Sequence, residues 1–459
     1  MKIKLLIIGL ILVALVSAFL VFKKDNSASV KKETVSATIS DDSLLTLVEY
    51  NTFRYFSDGA EPVSGMARER LHMDGKYPEN DKNVVTTGGS GFGVMALVVG
   101  INRGFIGREE GVEKIRHIVD FLKKADRFHG AWPHWIYGET GRVKPFGEKD
   151  NGGDIVETAY MAQGLLAARQ YLRNGSTTEQ RLAADIDTLW RQIEWNFFTR
   201  GGQKVIYWHW SPNYGWIMNM PVTGYNECLI LYVLAASSPT YPIDPEVYHA
   251  GWAGNGKIVS KNEAYGIPLI LKFNYAEEYG GPLFWAHYSY LGLDPRGLSD
   301  KYADYWKLNV DQATINHKWC SINPNKFKGY SDKRWGLTAS YSVNGYAAHA
   351  PGEKNDLGVI SPTAAVSSLP YTPAESMAAI KDFYYNLGSK VFGTYGFYDA
   401  FSEQNNWFPQ RYLAIDQGPE IVMIENYRTA LMWKLFMSCP EVQTGLKRLG
   451  FSIQDEKVK

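Results

Sequence analysis

The stretch DIVETAYMAQGLLAARQYL, from Asp154 to Leu172, has the composition of a helix that is enclosed by protein on nearly all sides. Apolar and small residues occur all round its 3.6-residue period, so it has no continuous polar face to present to water. Such a helix is stable only when other elements cover it. Five further segments share this character, and we predict buried inner helices over Ser90–Asn102, Thr223–Ala236, Gly281–Leu291, Ser361–Leu369 and Gln417–Leu435.

Between these segments lie helices of a second kind, which are charged on one face only. In Arg108–Ala125 the apolar residues Val112, Ile115 and Val119 recur at helical spacing, and charged residues occupy the other side. The same pattern predicts outer helices over Asp41–Ser57, Thr177–Phe198, Ser299–Ile322, Pro373–Val391 and Pro440–Leu449. Because outer and inner helices alternate, we predict an all-α protein, an (α/α)6 toroid of six inner and six outer helices with long loops forming a cleft. Residues 41–459 are expected to form this one domain.

The N-terminus differs from the rest of the chain. Two lysines precede residues 5–22, a run without a charge, which is typical of a secretory signal peptide or an N-terminal membrane anchor. We therefore predict a signal or anchor over residues 1–25 and a flexible linker over residues 26–40. The protein is expected to be periplasmic or extracellular, with a membrane tether through residues 5–22 if the run is not cleaved.

The composition excludes several classes of protein. Lys+Arg and Asp+Glu are balanced at 48 each, so the chain lacks the basic excess that nucleic-acid binding requires. A hydrophobic fraction of 45% is too high for a disordered chain. Cys228, Cys320 and Cys439 lie far apart in apolar or helical runs and are expected to be buried free thiols. We predict a monomer that binds no nucleic acid and needs no metal or other cofactor.

Carboxylates occur where the inner helices begin. Asp154 and Glu157 are three positions apart in one first turn, so they lie on one face of the helix, and Asp150 lies just upstream. Glu227 begins the next inner helix in the same way. An N-cap with a capping box would give the same pattern. Because inner helices that run the same way direct their N-termini to one end of the ring, we predict that these four residues form the catalytic set.

Aromatic residues are abundant, at 14 Trp, 29 Tyr and 21 Phe, and many lie in the connections that precede inner helices. Rings stack on sugar faces and carboxylates act on hydroxyl groups and the glycosidic oxygen, so this combination indicates a carbohydrate site. We predict substrate contacts from Arg70, Trp132, His134, Trp135, Trp208, Trp210, Trp216, Trp335, Trp407 and Glu425. A structural role for Glu425 stays equally open.

Six stretches are long or distinctive enough to compare with known families. They are PVSGMARER (62–70), VTTGGSGFG (85–93), FHGAWPHW (128–135), DNGGDIVE (150–157), PGE (351–353) and IDQGP (415–419). Together they resemble the bacterial glucoamylase-like family, and specifically glycoside hydrolase family 144, the β-1,2-glucanases. The resemblance implies an exported (α/α)6 toroid that hydrolyses linear β-1,2-glucan with inversion and without a metal. It also places Asp150, Asp154, Glu157 and Glu227 at acidic positions of the family's cleft.

Inversion constrains how these carboxylates can work. An inverting pair lies about 6.5–9.5 Å apart, with room for a water, and two residues three positions apart on one helix are closer than this. We therefore expect either Asp154 or Glu157 to work opposite Glu227 or through a water chain. The other is expected to tune a pKa or to bind a hydroxyl group.

Other functions remain compatible with the sequence. Related domains of cyclic β-1,2-glucan synthases catalyse transglycosylation. A polysaccharide lyase would use Tyr160 as its base and Arg169 to neutralise charge. A non-catalytic glycan-binding protein would also need an aromatic cleft, although clustered carboxylates would then be an electrostatic cost. Endo action and exo action, which would release sophorose, are not distinguished by the sequence.

Overall fold

The computed structural model describes residues 38–77 and 81–454. Residues from Asp41 onward form one compact unit. The predicted signal or anchor over residues 1–25, and residues 26–37 of the predicted linker, lie outside the described residues. In the described part of the chain, no helix combines the length and the apolar composition that a membrane crossing requires.

The chain is mostly helical, as the alternation of apolar and amphipathic segments predicts. The described residues contain twelve α-helices, which are α1 (Asp41–Ser57), α2 (Thr87–Arg103), α3 (Arg108–Leu122), α4 (Ile155–Leu172), α5 (Thr177–Arg191), α6 (Leu229–Ser237), α7 (Tyr305–Ile322), α8 (Pro362–Ser367), α9 (Pro373–Lys381), α10 (Ala414–Thr429), α11 (Leu431–Met437) and α12 (Pro440–Arg448). The first outer helix has the predicted bounds, and most others end within a few residues of theirs.

One predicted inner helix is not an α-helix. Segment Gly281–Leu291 forms two short 3₁₀ turns, Leu283–Ala286 and Tyr288–Tyr290, which His287 separates. Aromatic residues dominate this segment, and they have low helix propensity. Three of these rings, those of Trp285, Tyr288 and Tyr290, are buried in the core.

The predicted helix Thr223–Ala236 begins only at Leu229, where α6 starts. Gly224 has a φ of 73°, a conformation that favours glycine, and the Asn226 side chain accepts the backbone N–H of Cys228 at 3.0 Å. Both features hold the preceding residues in a turn. Glu227 consequently lies in the loop before α6 and not in its first turn.

Short antiparallel strands connect the helices. They are β1 (Arg70–His72), β2 (Val84–Thr86), β3 (Trp135–Tyr137), β4 (Val143–Lys144), β5 (Gly153–Asp154), β6 (His209–Trp210), β7 (Glu263–Ala264), β8 (Ile267–Pro268), β9 (Leu298–Ser299), β10 (Ala339–Ser342), β11 (Gly345–Ala348), β12 (Phe392–Gly393), β13 (Gly396–Phe397), β14 (Arg411–Leu413) and β15 (Ser452–Ile453). Strand β1 pairs with β14, β2 with β3, and β5 with β6. Strands β2, β5 and β14 lead directly into α2, α4 and α10, so these pairs gather side chains around the N-termini of three inner helices.

The inner helices pack on one another, as their apolar composition requires. Helix α2 contacts α4 and α10, α4 contacts α6, and α10 contacts α8. Helices α2 and α4 approach closely at Gly91 and Gly164. A Cβ atom built on Gly164 would lie only 2.0 Å from the carbonyl oxygen of Gly91, so the close approach requires glycine at this position. The outer helices pack against them, α1 on α2 and α10, α3 on α2, α5 on α4, α9 on α8 and α12 on α6. The three cysteines are buried free thiols, which confirms that prediction.

Candidate active site

Residues of β1, β2, β3 and β14 line a cavity of about 310 Å³ beside the N-terminus of α4. Its lining combines three carboxylates, two basic side chains and many rings, namely Glu69, Glu157, Glu227, Arg70, His134, Trp135, Phe146, Tyr160, Trp208, Phe284, Tyr288, Tyr341 and Tyr346. Rings alternating with hydrogen-bonding groups are suited to a hydroxyl-rich, uncharged ligand such as a sugar.

Asp154 is the N-cap of α4 and is fully buried. Its Oδ1 accepts the backbone N–H groups of Val156 and Glu157 at 3.0 and 2.9 Å. Its Oδ2 accepts the indole N–H of Trp208 at 3.0 Å and lies 3.1 Å from Nδ1 of His134. Because both oxygens are occupied and the group does not line the cavity, Asp154 is placed to hold Trp208 and His134 in position.

Glu157, in the first turn of α4, does line the cavity. Its Oε2 accepts the backbone N–H of Gly88 at 2.7 Å, at the start of α2, and its Oε1 lies 4.0 Å from Nε2 of His134. Burial raises the pKa of Glu157 to about 7, assisted by the Asp154 charge and opposed by His134. A cavity carboxyl group that titrates near neutral pH is suited to acid–base chemistry.

His134 connects the two acidic residues of α4. Burial disfavours its cationic form, but the charges of Glu157 and Asp154 outweigh burial and raise the pKa of His134 to about 10. The imidazole is therefore a cation at neutral pH that donates to Asp154 and faces Glu157.

Glu227 lines the cavity from the loop before α6. Burial raises its pKa to about 7, opposed by its own backbone N–H and the Cys228 thiol. Among the described residues no basic side chain forms an ion pair with Glu227, so nothing of opposite charge holds it ionised. Its environment therefore differs from that of Glu157, which has a cation beside it.

Asp150 lies next to the cavity without lining it. Its Oδ1 is 3.2 Å from Nε2 of His209, and burial together with the Asp154 charge raises the pKa of Asp150 to about 6. Among the described residues, His134, Asp150 and Asp154 form the group whose ligand atoms lie close enough together, within 4.8 Å, to hold a metal ion. Metal binding requires a neutral imidazole, which the high pKa of His134 disfavours. The absence of a metal stays a prediction.

Among the predicted substrate-binding residues, Arg70, His134, Trp135 and Trp208 line the cavity. The structure does not bring the other predicted residues to it. Trp132 and Trp335 are core residues with no exposed surface, and their indole N–H groups donate to the carbonyl oxygens of Leu122 and Glu375. Their apolar rings are covered by neighbouring helices and loops, which the sequence pattern did not distinguish from rings facing a cleft.

Three more of these tryptophans pack away from the cavity. Trp216 stacks on Phe197 at a centroid distance of 5.2 Å, and Trp210 contacts the same ring edge-on at 5.7 Å. Trp407 closes a small hairpin through two backbone hydrogen bonds with Ser402, at 2.8 and 2.9 Å. Rings in adjacent loops therefore pack on one another, which accounts for much of the aromatic excess.

Glu425 is also outside the cavity, in the second half of α10. It is fully buried, and its Oε2 accepts the guanidinium of Arg103 at 2.5 Å. Of the two roles that the sequence left open for Glu425, the structure therefore supports the structural one. The carboxylate joins α10 to the end of α2, because Arg103 is the last residue of that helix.

The two residues that a lyase would need are not at one site. Tyr160 lines the cavity, but Arg169 is twelve positions after Glu157 on the same helix, about 18 Å away at 1.5 Å per residue. Arg169 forms ion pairs with Asp187 and Glu441 at 2.5 and 2.9 Å. It therefore ties α4 to α5 and α12 and does not face a substrate.

Several residues that line the cavity are not among the predicted site residues. Glu69 directly precedes Arg70, in a motif that carried the family resemblance, and its position there could have indicated it. Tyr341 and Tyr346 are paired across the β10–β11 hairpin. The Asn344-Gly345 pair in its turn is a hairpin signal that could have predicted two adjacent rings on one face.

A solved structure resembles this fold closely. The chain is 66% identical to an endo-β-1,2-glucanase from Chitinophaga pinensis, solved as a sophorotriose and glucose complex, with a TM-score of 0.89 over 90% of this chain and 99% of that one. The chain belongs to the glucoamylase-like family, glycoside hydrolase family 144.

Further comparisons agree with this assignment. The Glycoamylase family model, described as a glucoamylase, matches residues 219–440 of this glucoamylase-like protein. An exo β-1,2-glucooligosaccharide sophorohydrolase from Parabacteroides distasonis is 44% identical over 439 residues, which is 91% of this chain and 59% of that protein. The chain therefore spans less than two thirds of that curated relative. A β-1,2-glucanase structure from the same organism is 43% identical, with a TM-score of 0.85 over 90% of this chain and 60% of that one.

Proposed function

We propose that this glucoamylase-like protein is a glycoside hydrolase that cleaves β-1,2-glucan by an inverting two-carboxylate mechanism. The observation that carries the proposal is the pair Glu157 and Glu227, two carboxyl groups in one ring-lined cavity whose burial raises each pKa to about 7. The names of the relatives supply the substrate, since the proteins from C. pinensis and P. distasonis are described as acting on β-1,2-glucans.

The different surroundings of the two groups suggest their roles. Glu227 has no cation paired with it among the described residues, so its protonated form is favoured and it is proposed as the general acid. Glu157 accepts a backbone N–H and faces the cationic His134, and both stabilise the ionised form that a general base requires. Asp154 is proposed as a positioning residue, because its oxygens are fully used in holding His134, Trp208 and the first turn of α4.

Timed product analysis on linear β-1,2-glucan tests the proposed function. Reducing ends should appear with the β-1,2-linked polymer and not with β-1,3- or β-1,4-glucan, and the first product should have the inverted α-anomeric configuration. Sophorose from the first time point would indicate exo action, and a spread of oligomers endo action. Products longer than the substrate would instead indicate transglycosylation, and unchanged polymer after long incubation would contradict hydrolysis.

A second prediction concerns the His134 cation. His134→Gln removes the positive charge 4.0 Å from Glu157, so the pKa of Glu157 should rise above its value of about 7. Because the base must be ionised, the acidic limb of the kcat/KM profile should move to higher pH, and activity should fall more at pH 6 than at pH 8. His129→Gln is the matched control, since His129 pairs with Glu194 and does not line the cavity. An unchanged acidic limb in His134→Gln would contradict the role of the cation.

We further propose the (α/α)6 arrangement for the helical domain. Its support is the alternation of helix types in the sequence and the contacts among α2, α4, α6, α8 and α10. Export through residues 1–25, with a tether through residues 5–22 if the run is not cleaved, is likewise proposed from the sequence alone, as is a monomeric state.

A further inference from the structure

Two aspartates outside the catalytic set lie side by side behind the cavity wall. Asp399 follows β13 and is fully buried, and Asp416 lies in the first turn of α10 with 4% of its surface exposed. Their carboxyl groups are in hydrogen-bonding contact with each other. Asp416 belongs to the IDQGP stretch, for which the proposed reaction has assigned no role.

The hydrogen bonds of the four oxygens show that one proton is needed between the pair. Asp399 Oδ2 accepts the backbone N–H of Tyr341 at 2.7 Å, and Asp416 Oδ1 accepts the hydroxyl of Tyr288 at 3.4 Å. The two remaining oxygens, Asp399 Oδ1 and Asp416 Oδ2, are buried and have no donor among the described residues. A single proton satisfies both, because one oxygen then donates and the other accepts. Two ionised carboxylates in contact at a buried site would repel each other strongly.

We propose that Asp416 and Asp399 share one proton at neutral pH, carried by Asp416, and that this singly charged pair positions Tyr341 and Tyr288 on the cavity wall. Both are positioning residues in this account. The proposal adds two positioning residues to the proposed active site. Its kinetic test rests on the proposed function, because it assumes that the protein cleaves β-1,2-glucan.

The groups that face the pair place the proton on Asp416. The Tyr341 N–H makes the shorter hydrogen bond and therefore stabilises the ionised form of Asp399, which also faces the Arg411 cation. Burial, with the adjacent Asp399 and the charge of Glu69, raises the pKa of Asp416 well above its usual range. Burial raises the pKa of Asp399 only to about 6, because the Tyr341 N–H, Asp416 and Arg411 oppose it more than Glu69 assists it.

Hydrogen bonds to Tyr341 of the β10–β11 hairpin and to Tyr288 connect the Asp399–Asp416 pair to the cavity wall. Tyr341 and Tyr346 are directly paired on the hairpin, and all three tyrosines line the cavity. The Tyr341 hydroxyl also bonds to Nε2 of His72 at 2.9 Å and lies 3.4 Å from the Arg70 guanidinium. Loss of the shared proton would put a second charge behind this wall and displace the Tyr341 backbone. Substrate binding should therefore weaken at alkaline pH.

Infrared difference spectroscopy tests the shared proton without reference to activity. The wild-type spectrum in D2O at neutral pH should contain the carbonyl band of a protonated carboxylic acid that is absent from Asp416→Asn. Asp300→Asn is the matched control, because Asp300 accepts three hydrogen bonds, from Tyr248, Tyr302 and Ala303, and should leave the band unchanged. If Asp416→Asn leaves the band unchanged, the shared proton is refuted, whether or not the protein cleaves β-1,2-glucan.

Kinetics on β-1,2-glucan test the positioning role. In Asp416→Asn the amide N–H can replace the shared proton, so KM should stay within about twofold of wild type and its alkaline rise should disappear. In Asp399→Ala the backbone N–H of Tyr341 and the carboxyl group of Asp416 both lose their acceptor, so KM should rise about tenfold, the cost of a buried donor left unsatisfied, with kcat little changed. A collapse of kcat at unchanged KM in Asp416→Asn would overturn the positioning role. Equal KM values in Asp416→Asn and Asp399→Ala would overturn the positioning of Tyr341 by the pair.

Discussion

Replacing Glu227 with glutamine is expected to lower kcat on linear β-1,2-glucan by about 10³-fold, which is within the range that loss of a general acid produces. Glu227 lines the cavity, and burial raises its pKa to about 7, so a large fraction is protonated at neutral pH. Glutamine keeps the shape and hydrogen-bonding capacity of the protonated side chain but has no proton to transfer. Binding of a β-1,2-glucan oligosaccharide, measured by calorimetry, should therefore change by less than about threefold.

Glu263→Gln is a matched control for this variant, because Glu263 is exposed on β7 and does not line the cavity. Its kcat and KM should equal those of the wild type. Substantial residual kcat in Glu227→Gln would show that another group delivers the proton. Loss of oligosaccharide binding together with kcat would show that Glu227 binds substrate and is not the acid.

Replacing Arg103 with methionine should produce the largest loss of stability among these variants, about 3 kcal/mol in the free energy of unfolding. Arg103 bonds to Glu425 at 2.5 Å and lies 3.8 Å from Glu49, and both carboxylates are fully buried. Methionine retains much of the apolar volume but leaves the buried Glu425 carboxylate without its cation, whereas Glu49 keeps its ion pair with Arg428 at 2.5 Å. The loss should appear as a lower urea midpoint with an unchanged m value.

The same substitution at a surface pair provides the control. Arg54 pairs with Asp58 at 2.8 Å, but their side chains are 33% and 50% exposed, so Arg54→Met should change stability by less than about 1 kcal/mol. At 25 °C both variants should hydrolyse β-1,2-glucan at the wild-type rate, because neither arginine lines the cavity. Reduced substrate affinity in a fully folded Arg103→Met would revive the prediction that Glu425 contacts substrate.

The amphipathic and apolar patterns were sufficient to predict most helices. Arg108–Leu122 follows its apolar spacing closely, and Ile155–Leu172 is buried along almost its whole length, as its composition requires. Local backbone effects limited the prediction elsewhere. The turn at Gly224 delays the start of α6 to Leu229. The segment Gly281–Leu291, which is rich in aromatic residues of low helix propensity, forms two 3₁₀ turns.

Asp154 and Glu157 were found because their positions relative to the start of a helix are readable in the chain. Asp154 and Glu157 could not be separated by that criterion, since an N-cap and a catalytic acid share it. The structure separates them, because Asp154 is enclosed by donors and Glu157 borders the cavity. Tryptophan was the least informative residue type, since a ring in a core and a ring in a cleft have the same local sequence context.

The sequence by itself determined that the chain is helical, that helices of two kinds alternate, and that acidic residues lie where α4 begins. These properties depend on residues close together along the chain, where periodicity and capping act. Only the tertiary structure decided which groups face the cavity, and it brought Glu69, Tyr341 and the Asp399–Asp416 pair to the site. Burial, opposing charge and the number of available donors set each pKa and each role, and all three depend on neighbours that are distant in sequence.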